Sequence, residues 1–196
     1  MKYFAIICYI LPLLTQAQKA LDLGSPAPTF SGIDQNGQHI QLNEVIKDSL
    51  IVLQFYRGEW CPHCNRHMSQ LQDSVQLLNN LGAKVIAITP ENKENIALTT
   101  SQTGASFSIV HDTNHVIMDA YKTTFKLGLI KNIGYNIAGI NVKKRSEFNE
   151  RLLPVPATYI IDQKGIIVGR YFNETYSERM PVSEMIKIIK AVNKGS

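Results

Sequence analysis

Residues 50–56 are apolar at every position but Gln54, and they run straight into Trp60-Cys61-Pro62-His63-Cys64. A continuous apolar run of this length belongs to a strand covered on both faces, an environment that alternating strands and helices supply. The sequence that follows fits. From Pro62 to about Leu81, the residues Met68, Leu71, Val75 and Leu78 recur at spacings of three and four, an amphipathic helix stopped by Gly82. Residues 84–89 read as a second buried strand, 92–102 as a helix, 107–110 as a short strand and 115–121 as a further helical stretch. This β-α-β-α-β-α order predicts an α/β domain with a parallel sheet portion.

The flanks predict antiparallel pieces. Gln35-Asn36-Gly37 separates two short strand-like segments, 29–33 and 38–42, as an Asn-Gly turn does in an N-terminal hairpin. Gln163-Lys164-Gly165 likewise separates 158–162 from 166–172, and 181–192 closes the chain as an amphipathic helix. Between them, Gly128, Gly134 and Gly139 interrupt any period, so 126–153 reads as an irregular surface insertion.

With 196 residues, 44% of them hydrophobic and 18% charged, the chain has the balance of one domain with its own core. Its formal charge of +4 is scattered, apart from Lys143-Lys144-Arg145, and aromatics do not interleave with the basic residues. Nucleic-acid binding is therefore not expected. Residues 1–17 have the layout of a signal peptide: Lys2, an apolar run broken by Pro12, and Thr15-Gln16-Ala17 ahead of a cleavage point. That run is shorter than the roughly 20 residues a membrane span needs, so membrane anchoring is not expected. The expectation is an exported protein, periplasmic or secreted, whose folded domain is 18–196.

Cys8 falls inside the signal, which leaves Cys61 and Cys64 as the thiols of the mature chain. A disulfide between them would close almost no loop and so would stabilise little, whereas structural disulfides close long loops. Redox work is the better reading. A thiolate is the reactive species, and a helix N-terminus favours it with unpaired N–H groups and a partial positive charge. His63, between the cysteines, offers a further cation or hydrogen bond. Cys-x-x-Cys is also half of a zinc site, and His63 and His67 lie close by, so a metal-binding module stays open as an alternative. So does a non-catalytic binding module. No organic cofactor is implied.

The union of strand, Trp60-Cys61-x-x-Cys64, helix and a later Val155-Pro156-Ala157-Thr158 before a hairpin resembles a thioredoxin fold. More narrowly, Gly24-Ser25-Pro26-Ala27-Pro28-x-Phe30, the stretch from Phe55 to Cys64 and the stretch from Leu153 to Asp162 resemble the peroxiredoxin-like branch of the AhpC/TSA (redoxin) family. The resemblance implies a central mixed sheet flanked by helices, an exposed Cys61 that attacks, and Cys64 that resolves. It also implies a cis Pro156 beside the sulfurs, with Trp60 and Arg57 in the site. Partners would be protein thiols and disulfides or hydroperoxides, plus a redox-regenerating protein. The sequence Cys-Pro-His-Cys also matches that of the strongly oxidising periplasmic DsbA family.

Departures from the peroxidase pattern matter. Peroxiredoxins carry Pro-x-x-x-Thr/Ser-x-x-Cys, and aligning that cysteine with Cys61 puts Gln54 at the proline and Gly58 at the hydroxyl residue. Alignment on Cys64 fares no better. The family's peroxide-polarising arginine falls on Pro156, which removes a charge meant for a developing oxyanion. Arg57 could replace it. The buried carboxylate that thioredoxins keep ahead of the motif is also replaced, with Gln54 or Glu59 as the candidate successors, and an amide cannot take a thiol's proton. Thiol–disulfide exchange is the favoured chemistry, with hydroperoxide reduction the alternative.

Overall fold

The structure, a computed structural model, describes residues 20–146, 151–173, 175 and 177–195, with the side chains of Ile130 and Lys131 undescribed. The expected signal peptide at 1–17, Cys8 included, lies outside the described residues. The chain begins with the expected hairpin, β1 (Ser31–Ile33) against β2 (His39–Gln41), followed by a short α1 (Leu42–Val45). The central strands are β3 (Leu50–Phe55), β4 (Ala83–Thr89) and β5 (Ser108–His111), mutually parallel, and β8 (Ala157–Ile161) and β9 (Ile167–Phe172), which run antiparallel to their neighbours. Their order is β5-β4-β3-β8-β9. This is a mixed five-stranded sheet flanked by helices, the thioredoxin-like architecture.

Both faces of β3 are buried because its side chains alternate between two apolar clusters. Leu50, Val52 and Tyr56 join Met68, Leu71 and Leu78, Ile96, and Met185 and Ile189 on one face. Those residues belong to α2 (Pro62–Asp73), α3 (Val75–Asn80), α4 (Lys93–Thr103) and α8 (Val182–Gly195). Ile51, Leu53 and Phe55 join Phe30, Leu42 and Ile117, Met118 and Tyr121 of α5 (Val116–Ala120) and its end on the other.

The expected single helix from Pro62 is two. Ser74 lies at the edge of the helical region (φ −105°, ψ 0°) and its N–H donates to Leu71 O at 3.2 Å, three residues back and not four. Leu78 N–H still reaches Ser74 O, so the apolar stripe stays on one face across the step.

The described part of the segment read as an irregular insertion carries regular elements. β6 (Thr124–Lys126) pairs antiparallel with β7 (Leu152–Pro154), and between them stand α6 (Leu129–Ile137) and α7 (Val142–Arg145). Leu127, Val142 and Leu153 form a small core of their own, against which Trp60, Phe125, Tyr135 and Ile140 pack. Gly134 sits within α6, so a glycine taken as a break is accommodated there. No helix among the described residues is long and apolar enough to cross a membrane.

Candidate active site

β3 and β4 are parallel, so both end at the same edge of the sheet, where α/β domains gather their working groups. Residues 56–61 leave β3 there. Cys61 occupies the N-cap of α2 in extended geometry (φ −95°, ψ 104°), and Pro62, with no N–H to lose, takes the first helical turn. Cys64 follows one turn later. Its N–H reaches back to Cys61 O at 2.9 Å.

Both thiols are reduced and buried, with 2% of Cys61 and 1% of Cys64 accessible. The expectation of an exposed Cys61 is therefore corrected. Trp60, half-buried, packs both on the cluster that contains the two cysteines and on the small core of Leu127, Val142 and Leu153.

The two sulfurs share a hydrogen bond, and their titrations are joined. Burial pushes the Cys64 thiol up, but the hydrogen bond from Cys61, the Arg179 guanidinium and the Arg57 backbone N–H together outweigh it and bring Cys64 down to about 6. Cys61 is raised, as the donor to Cys64, by burial, and by the Cys64 charge, against the opposing pull of Arg57. The pair thus loses one proton readily and holds the second. The contact with Arg179 favours the charge on Cys64.

Arg179, which sequence reading missed, holds that charge: its Nη2 donates to Cys64 Sγ at 3.2 Å. It stands just before α8, anchored by the buried Met180 beside it, while Nη1 donates to Glu178 O at 2.7 Å. No spacing could have revealed it, because 115 positions separate it from Cys64.

Arg57 is buried rather than exposed on its loop, at 3% accessibility. Its guanidinium lies over the rings of Trp60, Phe125 and Tyr135, with 5.1, 5.8 and 5.5 Å to their centroids. Its Nη2 donates to Tyr135 Oη at 2.6 Å. Trp60 in turn packs on Tyr135, with ring centroids 5.2 Å apart. His63 lies half-buried on the first turn of α2, and the cations that lower the two thiols are Arg57 and Arg179.

Pro156 is buried one step beyond the last β3–β8 pair, Phe55↔Ala157. The peptide bond before it is trans, which corrects the cis expectation, since no cis bond occurs among the described residues. Between β7 and β8 the Val155 N–H is held by Thr123 O at 2.7 Å, and trans is the intrinsically favoured isomer by about 0.5–1 kcal/mol.

Gln54 is fully buried and its amide is spent internally: Nε2 donates to Phe55 O at 2.8 Å, and Oε1 accepts from Thr158 Oγ1 at 2.6 Å. His67 Nε2 lies 3.2 Å from that same oxygen, which fixes it as the donor. Burial and Arg179 lower His67 to about 4, so the ring is neutral. Glu59 is ion-paired with Arg145 of α7, the one member of the basic cluster that turns inward. Among the described residues no three His, Cys, Asp or Glu side chains gather to hold a metal ion.

A second residue absent from the sequence reading is Glu91, just past the end of β4 and 2% accessible. Its Oε2 accepts the Glu59 N–H at 2.8 Å. Burial raises its carboxyl well above the usual range, and the Cys64 charge adds to the effect. A partial signal was present: Glu91 follows, after Pro90, a buried strand parallel to β3, whose end lies at the same edge of the sheet as the motif.

Fold and site together define a thioredoxin-like redox domain built around a Cys-x-x-Cys pair. The AhpC/TSA family pattern matches residues 23–170, and the chain belongs to that family. It is 23% identical over 174 residues to the thiol-disulfide oxidoreductase ResA of Bacillus subtilis, covering 88% of this chain and 79% of that protein. It is also 23% identical over 174 residues to the peroxiredoxin Bcp of the same organism, covering 89% and 98%. Among solved structures it is similar to peroxidoxin BcpB from Mycobacterium tuberculosis, with a TM-score of 0.66 at 16% identity over 88% of this chain and 96% of that one. The thioredoxin domain of a thiol-disulfide oxidoreductase from Bacteroides vulgatus matches with a TM-score of 0.59 at 16% identity, covering 87% and 99%. The chain is accordingly an oxidoreductase of the thiol-dependent kind.

Proposed function

We propose that this chain is an exported thiol–disulfide oxidoreductase that cycles Cys61 and Cys64 between dithiol and disulfide in exchange with protein partners. The observation that carries the reading is the pair of buried free thiols at the head of α2, with the Arg179 guanidinium donating to Cys64 Sγ at 3.2 Å. In that arrangement Cys64 serves as the internal base for Cys61. Cys61 passes its proton to the Cys64 thiolate and attacks a partner disulfide; Cys64 later attacks Cys61 and releases the partner as a thiol. A separate redox protein restores the dithiol or the disulfide, according to direction. Export rests on the layout of residues 1–17, and N-terminal sequencing of protein recovered from its native compartment tests it: a start near Gln18 is expected.

Hydroperoxide reduction is the second reading, favoured by one observation. Arg57 is buried beside Cys61 under the 124–154 segment, a closed setting that admits a peroxide more easily than a protein loop. Against it stand Gln54, Gly58 and Pro156 at the peroxidatic positions. The Cys61→Ser and Cys64→Ser variants separate the two. Exchange predicts that either variant loses catalytic turnover and that Cys64→Ser accumulates mixed disulfides through Cys61. A peroxidase predicts rapid peroxide consumption by the wild type and sulfenic acid on the attacking cysteine, with no trapped partner.

A further inference from the structure

We infer that the outer face of α6 and α7 is a lipid-binding surface, on which the protein sits against an anionic bilayer. The inference goes beyond the thiol chemistry above, and the binding does not depend on which substrate the cysteines serve.

The two sides of α6 differ. Tyr135 turns inward, where it packs on Trp60 and accepts from Arg57 Nη2. Leu129, Ile133 and Ile137 recur every four residues, so they line one stripe about half a turn round the helix from Tyr135. They are 67%, 56% and 84% exposed. Among the described residues eight large apolar side chains are exposed, and three of them share this nine-residue helix. The other five, Leu23, Ile33, Leu77, Leu98 and Val116, stand on five different segments. Single exposed apolar residues are ordinary, whereas a contiguous stripe marks a surface that something covers.

Charge selects the occupant. From residue 120 to residue 146 the chain has six cations, Lys122, Lys126, Lys131, Lys143, Lys144 and Arg145, and no Asp or Glu. The remaining positions hold 14 Lys and Arg against 16 Asp and Glu, so the net positive charge of the chain comes from this one stretch. Arg145 is ion-paired with Glu59, but Lys126, Lys143 and Lys144 are exposed. Leu127 and Val142 take the inward side of the segment into its small core, which leaves the stripe and the lysines on the side that shows. An apolar stripe flanked by cations on a convex helix fits the interface of an anionic bilayer: the stripe enters the headgroup boundary and the lysines meet lipid phosphates. A protein partner would have to supply both a groove for Ile137 and carboxylates for the lysines, whereas a bilayer supplies both along its whole surface. Nine residues cannot cross a bilayer, which takes about 20, so α6 lies in the surface and not through it.

This seat bears on the redox site. Tyr135 stands between the stripe and Arg57 and Trp60, so a bilayer-bound α6 keeps those two residues about one helix diameter, roughly 10–12 Å, from the lipid headgroups. On the exchange reading, the substrates in reach are then thiols and disulfides that emerge close to a membrane surface.

The test is co-sedimentation of the protein with vesicles of equal parts phosphatidylglycerol and phosphatidylcholine, and with phosphatidylcholine alone. Wild type is compared with Ile133→Asn/Ile137→Asn, with Lys143→Gln/Lys144→Gln, and with Leu77→Asn/Leu98→Asn as a control for exposed apolar side chains elsewhere. Wild type is expected to bind the phosphatidylglycerol vesicles and to ignore the neutral ones. The isoleucine pair should weaken that binding at least about tenfold. The lysine pair should weaken it about tenfold and flatten its dependence on salt. The control should bind as wild type does, and all variants should keep the wild-type unfolding midpoint, since the altered side chains are exposed. Wild type that ignores phosphatidylglycerol overturns the inference, as does binding that both the α6 and α7 variants retain, which would assign it to the apolar run within 1–17. A wild-type dimer that the isoleucine pair makes monomeric overturns it in favour of a second copy of the chain. Vesicle binding by a protein that exchanges no disulfides leaves the inference standing and fails the exchange reading instead.

Discussion

Two arginines attend the two sulfurs, and they are held in opposite ways. Arg57 leaves β3 directly and is enclosed by Trp60, Phe125 and Tyr135, with Tyr135 Oη accepting from it at 2.6 Å. Arg179 arrives from the far end of the chain, is only half-buried, and touches Cys64 Sγ directly at 3.2 Å. Both oppose burial, yet the charge is favoured on Cys64. A guanidinium in hydrogen-bonding contact stabilises a thiolate more than one whose fork is turned to aromatic faces and a phenol. Arg57 therefore works chiefly as the pin that fastens the 124–154 segment over the motif, and Arg179 as the counter-charge.

The largest effect expected from this contrast is structural. Arg57→Ala removes the centre of the aromatic cluster, leaves Tyr135 without its donor and opens a void, a loss of about 2–4 kcal/mol in denaturant unfolding. The same variant should expose Cys61 to alkylation in the folded protein while the first thiolate midpoint stays near 6. A midpoint that climbs as far as it does without Arg179 would erase the distinction between the two arginines.

Arg179→Ala should do the reverse. An opposite charge in contact lowers an acid by about 1–3 pH units, so the thiolate absorbance midpoint should rise by at least about one unit from its value near 6. The sign follows from the charge: wild type is a thiolate above about 6, whereas the variant stays a thiol across more of the neutral range. Initial attack on glutathione disulfide below pH 7 should slow in proportion, and unfolding free energy should change by less than about 1 kcal/mol below the wild-type midpoint but, well above it, fall by about 1.4 kcal/mol for each pH unit that the midpoint rises. Arg179→Lys, a point charge without the planar fork, should fall between.

The β3–α2 unit was legible because its forces are local and periodic: an apolar run, an N-cap cysteine, a proline in the first turn, and a stripe at spacings of three and four. The hairpins were legible from Asn36-Gly37 and Lys164-Gly165. Arg179, Glu91 and the cover over Cys61 were not, since each acts across a separation that no local period encodes. Gly134 hid α6, because glycine weakens a helix without forbidding it when Tyr135 on the same helix has a site to fill. Pro156 shows the opposite failure: a family resemblance supplied an isomer that the link from β7 to β8 does not adopt.

The smallest effect tests the pin at its far end. Tyr135→Phe keeps the ring that lies on Trp60 and over the Arg57 guanidinium, and removes only the oxygen that accepts from Arg57 Nη2. A hydrogen bond from a charged donor contributes about 1.5–3 kcal/mol at most, and the ring's own contacts remain, so about 1 kcal/mol should be lost in unfolding. The thiolate midpoint should not move, because the charge held by Arg179 lies on the other side of the pair. Alkylation of Cys61 should quicken modestly, less than with Arg57→Ala, because the cover is loosened at one bond and not released. If it quickens as much as with Arg57→Ala, the phenol and not the aromatic stack is what fastens α6, and Arg57's place among the rings would be incidental to closing the site.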